Sequence, residues 1–82
     1  MIKVTLYTTD KECTEIGSAT FAHISMFKDN NIVLSFISTD EQLKFIALCI
    51  KHYVKFECQG QSVCLIRETN NFQRVCYRFD SL

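Results

Sequence analysis

The fold is decided by residues 38–54, which read STDEQLKFIALCIKHYV. Ser38 or Thr39 can serve as the N-cap of a helix, because each is followed three positions later by a glutamate or a glutamine, the capping-box pattern. Acidic residues in the first turn and lysines toward the end suit the charge distribution of a helix dipole. Apolar residues recur at helical spacing through the stretch. These signals predict a helix over residues 40–54.

The predicted helix has two apolar sides. The stripe expected to face the core consists of Leu43, Ile46, Ala47, Ile50 and Val54. At about 100° per residue, a second patch lies roughly opposite this stripe. It is made of Phe45, Leu48 and His52, with Lys44, Lys51 and Lys55 beside them. Large hydrophobic residues beside charges are typical of interaction surfaces, so this patch is predicted to bind a partner. The alternative is that the N-terminal arm around residues 13–16 covers it.

The residues before the helix are predicted to form strands. Residues 2–7 alternate between apolar and polar types, and residues 32–37 are rich in β-branched and aromatic types. The Asp and Asn residues at 29–31 are a turn signal, because their side chains tolerate a positive φ. A hairpin follows if residues 20–27 form the strand on the other side of this turn.

The segment 11–27 leaves two interpretations open. Its apolar residues fit a strand near its end, but Ile16, Ala19 and His23 also lie at helical spacings. A short helical turn is expected near residues 10–16, because a threonine and a glutamate three positions apart can cap it. The pattern alone does not choose between helix and strand for the rest of the segment.

After the helix, residues 62–68 and 72–79 flank a second turn signal at residues 69–71 and are predicted to form a hairpin. The register that keeps two arginines from facing each other is preferred, because like charges directly opposite are destabilising. In that register Cys64 lies opposite Cys76. The order of elements is then β-β-β-α-β-β, which predicts an α+β fold with one main helix packed on one face of an antiparallel sheet of about five strands.

Composition bounds the class of protein. The chain of 82 residues has no proline, no low-complexity tract and no linker, so residues 1–82 are predicted to be a single compact domain. A net charge of zero argues against a general electrostatic grip on nucleic acid. No apolar run reaches the length of a membrane span or of a signal peptide, and the odd number of scattered cysteines suits a reducing compartment. A cytoplasmic location is the expectation.

The sequence contains no motif for catalysis or for a bound metal. The intervals between the cysteines match no zinc pattern, so these thiols are interpreted as small apolar side chains that pack in the fold. The cysteines are Cys13, Cys49, Cys58, Cys64 and Cys76. The two histidines, His23 and His52, have no recognisable nucleophile beside them in the sequence. Two isolated glycines cannot form a phosphate-binding loop. We therefore predict no enzymatic activity, no catalytic residue, no metal and no cofactor.

A second surface is predicted on the C-terminal residues. Arginines interleaved with an aromatic residue on one sheet face can bind phosphate and stack on bases. The residues concerned are Arg67, Phe72, Arg74 and Arg78. The same pattern is also typical of a solvated sheet face, or of a protein interface rich in arginine.

Three hypotheses for function follow. The first is a small non-catalytic protein-binding module that acts stoichiometrically on a larger protein, in the style of phage- or mobile-element-encoded inhibitors of host or defence proteins. The alternative is a small nucleic-acid-binding or RNase-associated module that uses the arginine-bearing face. The third is self-association into a homodimer through a free sheet edge or through the helix patch, which is compatible with either of the others.

Overall fold

The computed structural model describes residues 1–26, 31–66 and 75–82. Within these ranges the chain is an α+β fold, as predicted, with one helix packed on an antiparallel sheet of six strands in the order β4-β5-β3-β2-β1-β6. The elements are β1 (Ile2–Thr8), β2 (Glu15–Met26), β3 (Ile32–Phe36), α1 (Thr39–Lys51), β4 (Phe56–Gln59), β5 (Ser62–Leu65) and β6 (Val75–Ser81). Within the described ranges, no helix is long and apolar enough to cross a membrane.

The ambiguous segment is a strand. β2 pairs with β1 through its first half, from Glu15 to Phe21, and with β3 through its second half, as far as Met26. The ladder with β3 shifts register between Phe21 and His23, so Ala22 is an extra residue of the bulge type. β2 therefore joins the two halves of the sheet, with β1 and β6 on one side and β3, β5 and β4 on the other.

The helical turn expected near residues 10–16 is wrong. A tight turn connects β1 to β2 instead, and the Asp10 carboxylate organises it by accepting hydrogen bonds from the Thr8 hydroxyl at 2.8 Å and from two backbone N–H groups at 3.1 Å. Those N–H groups belong to Glu12 and Cys13, and Cys13 has a positive φ of 46°. A short aspartate side chain satisfies the turn locally, so no helical turn is needed.

The helix begins as the capping pattern predicts and ends earlier. The Ser38 side chain accepts a hydrogen bond from the Glu41 N–H at 3.3 Å, which identifies Ser38 as the N-cap. The predicted end at residue 54 is wrong, because Tyr53 has a φ of 58° and turns the chain out of the helix. The Val54 N–H then donates to the Cys49 carbonyl at 2.8 Å, which satisfies one of the last carbonyls.

The helix is rotated relative to the prediction. Gln42, Phe45 and Cys49 are buried, whereas Leu43 is 56% exposed and Ile50 is 64% exposed. The predicted stripe consists of aliphatic residues, which is why the apolar pattern assigns it to the core. The observed core face instead includes Gln42 and Cys49, and a search for aliphatic residues at helical spacing does not select these two. The alternative, in which the N-terminal segment covers the predicted patch, describes the structure better.

The second predicted hairpin is also wrong. β5 lies between β4 and β3, and β6 pairs with β1 at the far end of the sheet. The hairpin observed here is β4–β5, whose turn contains Gly60 at a φ of +59°, a conformation that glycine adopts without strain. Cys64 therefore faces Glu57 and Val33, and Cys76 faces Tyr7. The predicted turn at residues 69–71 lies outside the described residues.

The core occupies the helix side of the sheet. Phe36 contacts both Phe21 and Phe45, with ring centroids 6.3 Å and 5.4 Å apart, and Phe79 meets Phe21 edge-on at 5.8 Å. These rings link α1 to the centre of the sheet and to β6. Aromatic side chains bury large apolar areas, so these rings contribute strongly to the core.

Candidate protein-binding surface

Two backbone-directed side chains set the position of α1 over the sheet. The Glu41 carboxylate accepts a hydrogen bond of 2.8 Å from the Thr20 N–H, on the half of β2 that has no pairing with β3. The Gln42 amide donates to the carbonyls of Gly60 at 2.7 Å and Ser62 at 3.4 Å. Adjacent helix residues thus hold β2 on one side and the β4–β5 turn on the other.

A close approach to β2 fixes the C-terminal half of the helix. A Cβ placed on Gly17 would lie 2.8 Å from the Leu48 Cδ2 atom, so only glycine leaves the Leu48 side chain its present position. Leu48 and Ile16 both pack against the core cluster. β2 therefore covers the side of α1 that was predicted to bind a partner.

The predicted helix patch is not an exposed surface. Phe45 is fully buried, and Leu48 and His52 are half-buried. The Nε2 atom of His52 is buried and has no hydrogen-bond partner among the described residues. The assignment of Phe45, Leu48 and His52 to an open partner-binding face is therefore wrong, because β2 and the core occupy that side of the helix.

The three lysines of the predicted patch do lie on the surface. Lys44 is in ion-pair distance of Glu41, with 3.7 Å between its Nζ and the Oε1 atom. Lys51 occupies the last turn of α1, and Lys55 follows the helix. All three lysines are exposed, but the apolar centre expected between them is missing.

A different apolar surface is open. We define the α1 stripe as Leu43, Ala47 and Ile50, three exposed residues at a spacing of four and three. They lie within an arc of about 60° at 100° per residue. The half-buried Ile46 lies between the stripe and the core. These three residues belong to the stripe that the sequence pattern assigns to the core, so the sequence does not identify them as a surface.

Two residues of the α1 stripe, Leu43 and Ile50, lie on the Gln42 side of the helix. Gln42 reaches the β4–β5 turn through its hydrogen bond to the Gly60 carbonyl. Leu43 and Ile50 are each about 80–100° around the helix from Gln42, on the side away from Leu48. β4 is the end strand of the sheet within the described ranges. The stripe is therefore not on the side of the helix that β2 covers.

All five cysteines lie in the described residues as free thiols. Burial raises the pKa of Cys49 to about 12, with a further contribution from Cys58, so the Cys49 thiol stays protonated at neutral pH. Cys13, Cys58 and Cys76 are exposed free thiols, and Cys64 is buried. No group of three or more potential metal ligands occurs in the described parts of the chain.

The arginine-bearing face can be placed only in part. Arg67, Phe72 and Arg74 lie outside the described residues, whereas Arg78 is an exposed residue of β6. Arg78 faces Thr5 across the ladder, on the side of the sheet away from α1. Its Nε donates to an Asp80 oxygen at 3.2 Å, and the attraction of that carboxylate raises the pKa of Arg78. The described member of this face is thus bonded to an acidic neighbour.

Comparison with known proteins adds no relative. No protein-family model matches this chain, and neither the curated proteins nor the solved structures contain a match.

Proposed function

We propose that this protein is a non-catalytic protein-binding module that acts stoichiometrically on a larger protein through the α1 stripe. The observation that supports this proposal is the exposure of Leu43 and Ile50 on a helix whose other face already supplies the core. Each of these side chains leaves more than half of its surface in water, although burial of a whole aliphatic side chain is worth about 1.5–3 kcal/mol. A partner that covers the stripe recovers this free energy.

The borders of the stripe favour a partner of particular chemistry. Lys44 and Lys51 lie about 40–60° around the helix from Ala47, and both are exposed. A complementary surface would have aliphatic or aromatic side chains at its centre and carboxylates at the lysine border. β4 is the end strand of the sheet within the described ranges, and its outer N–H and C=O groups can form additional hydrogen bonds with a partner.

An inhibitory role is the form of binding that we favour. A rigid domain of this size that covers a site on an enzyme needs no chemistry of its own, and small phage- and mobile-element-encoded inhibitors work in this way. This part of the proposal depends on the identity of the partner.

The test is affinity capture with the wild-type protein and with a Leu43→Asp/Ile50→Asp variant. We expect the wild type to retain a specific protein from cells of its source, and we expect the variant to lose it, because carboxylates cannot enter an apolar contact without a large desolvation cost. The retained protein should then bind the purified wild-type chain at a 1:1 ratio in titration calorimetry, with little dependence on salt.

The matched control is Met26→Asp, which places a carboxylate on an exposed apolar residue at the far end of β2. The control should retain the same protein, and both variants should keep the circular dichroism spectrum of the wild type. Equal retention by all three chains would rule out the α1 stripe. Retention of nucleic acid, lost steeply between about 50 and 200 mM salt, would instead support the arginine-bearing face.

A further inference from the structure

The outer edge of β6 is a second unpaired feature of the sheet. β6 is the last strand on its side of the sheet within the described residues, at the end opposite to β4. It is seven residues long, and the chain contains no proline that could interrupt it. Long edge strands without such protection are ready templates for pairing with another strand.

The ladder with β1 shows which backbone groups point outward. The Leu82 N–H donates to the Met1 carbonyl at 3.0 Å, so this pair exchanges hydrogen bonds. Because hydrogen-bonded and non-hydrogen-bonded pairs alternate in an antiparallel ladder, Asp80, Arg78 and Cys76 also bond to β1. The N–H and C=O groups of Ser81, Phe79, Tyr77 and Val75 therefore point away from β1, toward the outer edge.

The side chains of β6 are self-complementary. Arg78 and Asp80 lie on one face of the strand, and Phe79 lies on the other, where it is 38% exposed. An antiparallel pair of β6 strands around a twofold axis at Phe79 places Arg78 of each copy directly opposite Asp80 of the other. It also brings the two Phe79 rings together on the helix side, next to Tyr77.

The competing registers lack this complementarity. A twofold axis at Arg78 places two guanidinium groups opposite each other, which is destabilising, and an axis at Tyr77 places Arg78 opposite Cys76. With the axis at Phe79, the two Phe79 residues form a hydrogen-bonded pair with each other. Tyr77 of each copy also forms a hydrogen-bonded pair with Ser81 of the other copy, which gives about six backbone hydrogen bonds in all. The outward-pointing groups and the charges thus favour the same register.

We propose that this chain forms a homodimer through antiparallel pairing of β6 with β6 of a second copy, in the register that sets Arg78 opposite Asp80. The dimer has one continuous sheet and an isologous interface. The interface consists of β6 residues and the α1 stripe consists of helix residues, so the two surfaces share no residue. Dimer formation and partner binding are therefore independent properties.

Charge exchange tests both the dimer and its register. We expect the wild type to show a concentration-dependent dimer by sedimentation equilibrium. Arg78→Asp and Asp80→Arg should each raise the dimer Kd at least about tenfold, because each sets two like-charged pairs across the interface. The double variant Arg78→Asp/Asp80→Arg should restore the wild-type Kd, since it exchanges the charges of both pairs.

Mixing the two single variants separates the interface from effects within one chain. In the mixture each new charge faces an opposite charge on the other copy, so Arg78→Asp and Asp80→Arg should form a heterodimer with a Kd near that of the wild type. Thermal melting should show that each single variant is folded. A wild type that stays monomeric would overturn the proposal, and so would single variants that dimerise normally or a double variant that is not restored. The Leu43→Asp/Ile50→Asp variant should dimerise as the wild type does, so loss of partner binding does not affect this test.

Discussion

The side-chain amide of Gln42 donates a hydrogen bond of 2.7 Å to the backbone carbonyl of Gly60, which ties the first turn of α1 to the turn between β4 and β5. Gln42 is one of the few buried polar side chains in the described residues. Its position explains why α1 presents this face to the sheet and leaves Leu43 and Ile50 in solvent. A buried amide must find partners, and the open carbonyls of a tight turn supply them.

Removal of this hydrogen bond should destabilise the fold. Gln42→Ala leaves the Gly60 carbonyl without its donor and opens space beside it, so we expect a loss of about 1–3 kcal/mol in the free energy of unfolding, measured by urea denaturation. Gln59→Ala is the matched control, because Gln59 is exposed on β4 and should change stability by less than about 0.5 kcal/mol. Equal effects of the two substitutions would contradict the role assigned to Gln42.

The contact between Gly17 and Leu48 should appear as a coupling energy. Gly17→Ala places a Cβ 2.8 Å from the Leu48 Cδ2 atom, so the end of the Leu48 side chain must shift, at a cost of about 0.5–1.5 kcal/mol of stability. Leu48→Ala removes the atoms that clash. The double variant should therefore lose at least about 0.5 kcal/mol less than the sum of the two single losses. Strict additivity would show that the two positions do not contact each other.

The turn at Asp10 should titrate at low pH. The hydrogen bond from Thr8, with two backbone N–H groups, lowers the pKa of Asp10 below its ordinary value of 3.8. A lowered pKa in the folded state stabilises the protein at pH values above 3.8, and this contribution disappears as the pH falls through the pKa of the folded state. NMR titration of the Asp10 carboxyl carbon should give a midpoint below 3.8. Thr8→Val should move the midpoint upward, and an unchanged midpoint would contradict the assignment.

Two acidic groups, the buried Cys49 thiol and the half-buried Tyr77 hydroxyl, should make the fold sensitive to alkali. Burial raises the pKa of Tyr77 from 10.0 to about 12, and it raises the pKa of Cys49 from 9.0 to about 12. The unfolded chain releases these protons at lower pH than the folded chain, so the free energy of unfolding falls as the pH rises from 9.0 toward 12. Each group contributes a slope of about 1.4 kcal/mol per pH unit once its unfolded form is ionised.

The Tyr77→Phe variant tests this slope. It keeps the ring and removes the ionisable hydroxyl, so the fall in stability between pH 10 and pH 12 should be shallower than in the wild type by about 1.4 kcal/mol per pH unit. Cys49→Ala should reduce the slope from about pH 9 upward. The comparison is between slopes and not between absolute stabilities, since both substitutions also change packing. Parallel curves for all three chains would show that the buried groups ionise normally.

The helix and the fold class follow from local sequence signals. The N-cap at Ser38 and the acidic first turn are properties of adjacent residues, and they place the start of α1 correctly. The face that α1 buries depends on residues far along the chain, namely Gly17, Thr20 and Gly60. Counting aliphatic residues around the helix could not detect these contacts. Gly17 and Gln42 are the sequence signals of these long-range contacts.

Strand pairing was predictable only where a turn is short. The pairing of β2 with β3 is such a case, and it confirms the hairpin predicted from the turn signal at residues 29–31. The β4–β5 hairpin was not predicted, because its first strand, FECQ, has only four residues and two of them are polar. The partner of β6 was misassigned, since the choice between β5 and β1 depends on the whole sheet and not on local pattern. The same dependence on the whole fold applies to the α1 stripe. Its residues were identified as apolar and helical, but their exposure is a tertiary property.

The pairing of β1 with β6 also governs how the chain can fold. These strands are separated by nearly the entire described sequence, and Ile2 pairs with Ser81. Such non-local contacts require the closure of a long loop before they contribute any stability, so folding rates are expected to be slow for a protein of this size. During synthesis on the ribosome, β1 stays without its outer neighbour until the last strand emerges. One side of the sheet is therefore completed only after β6 has left the ribosome.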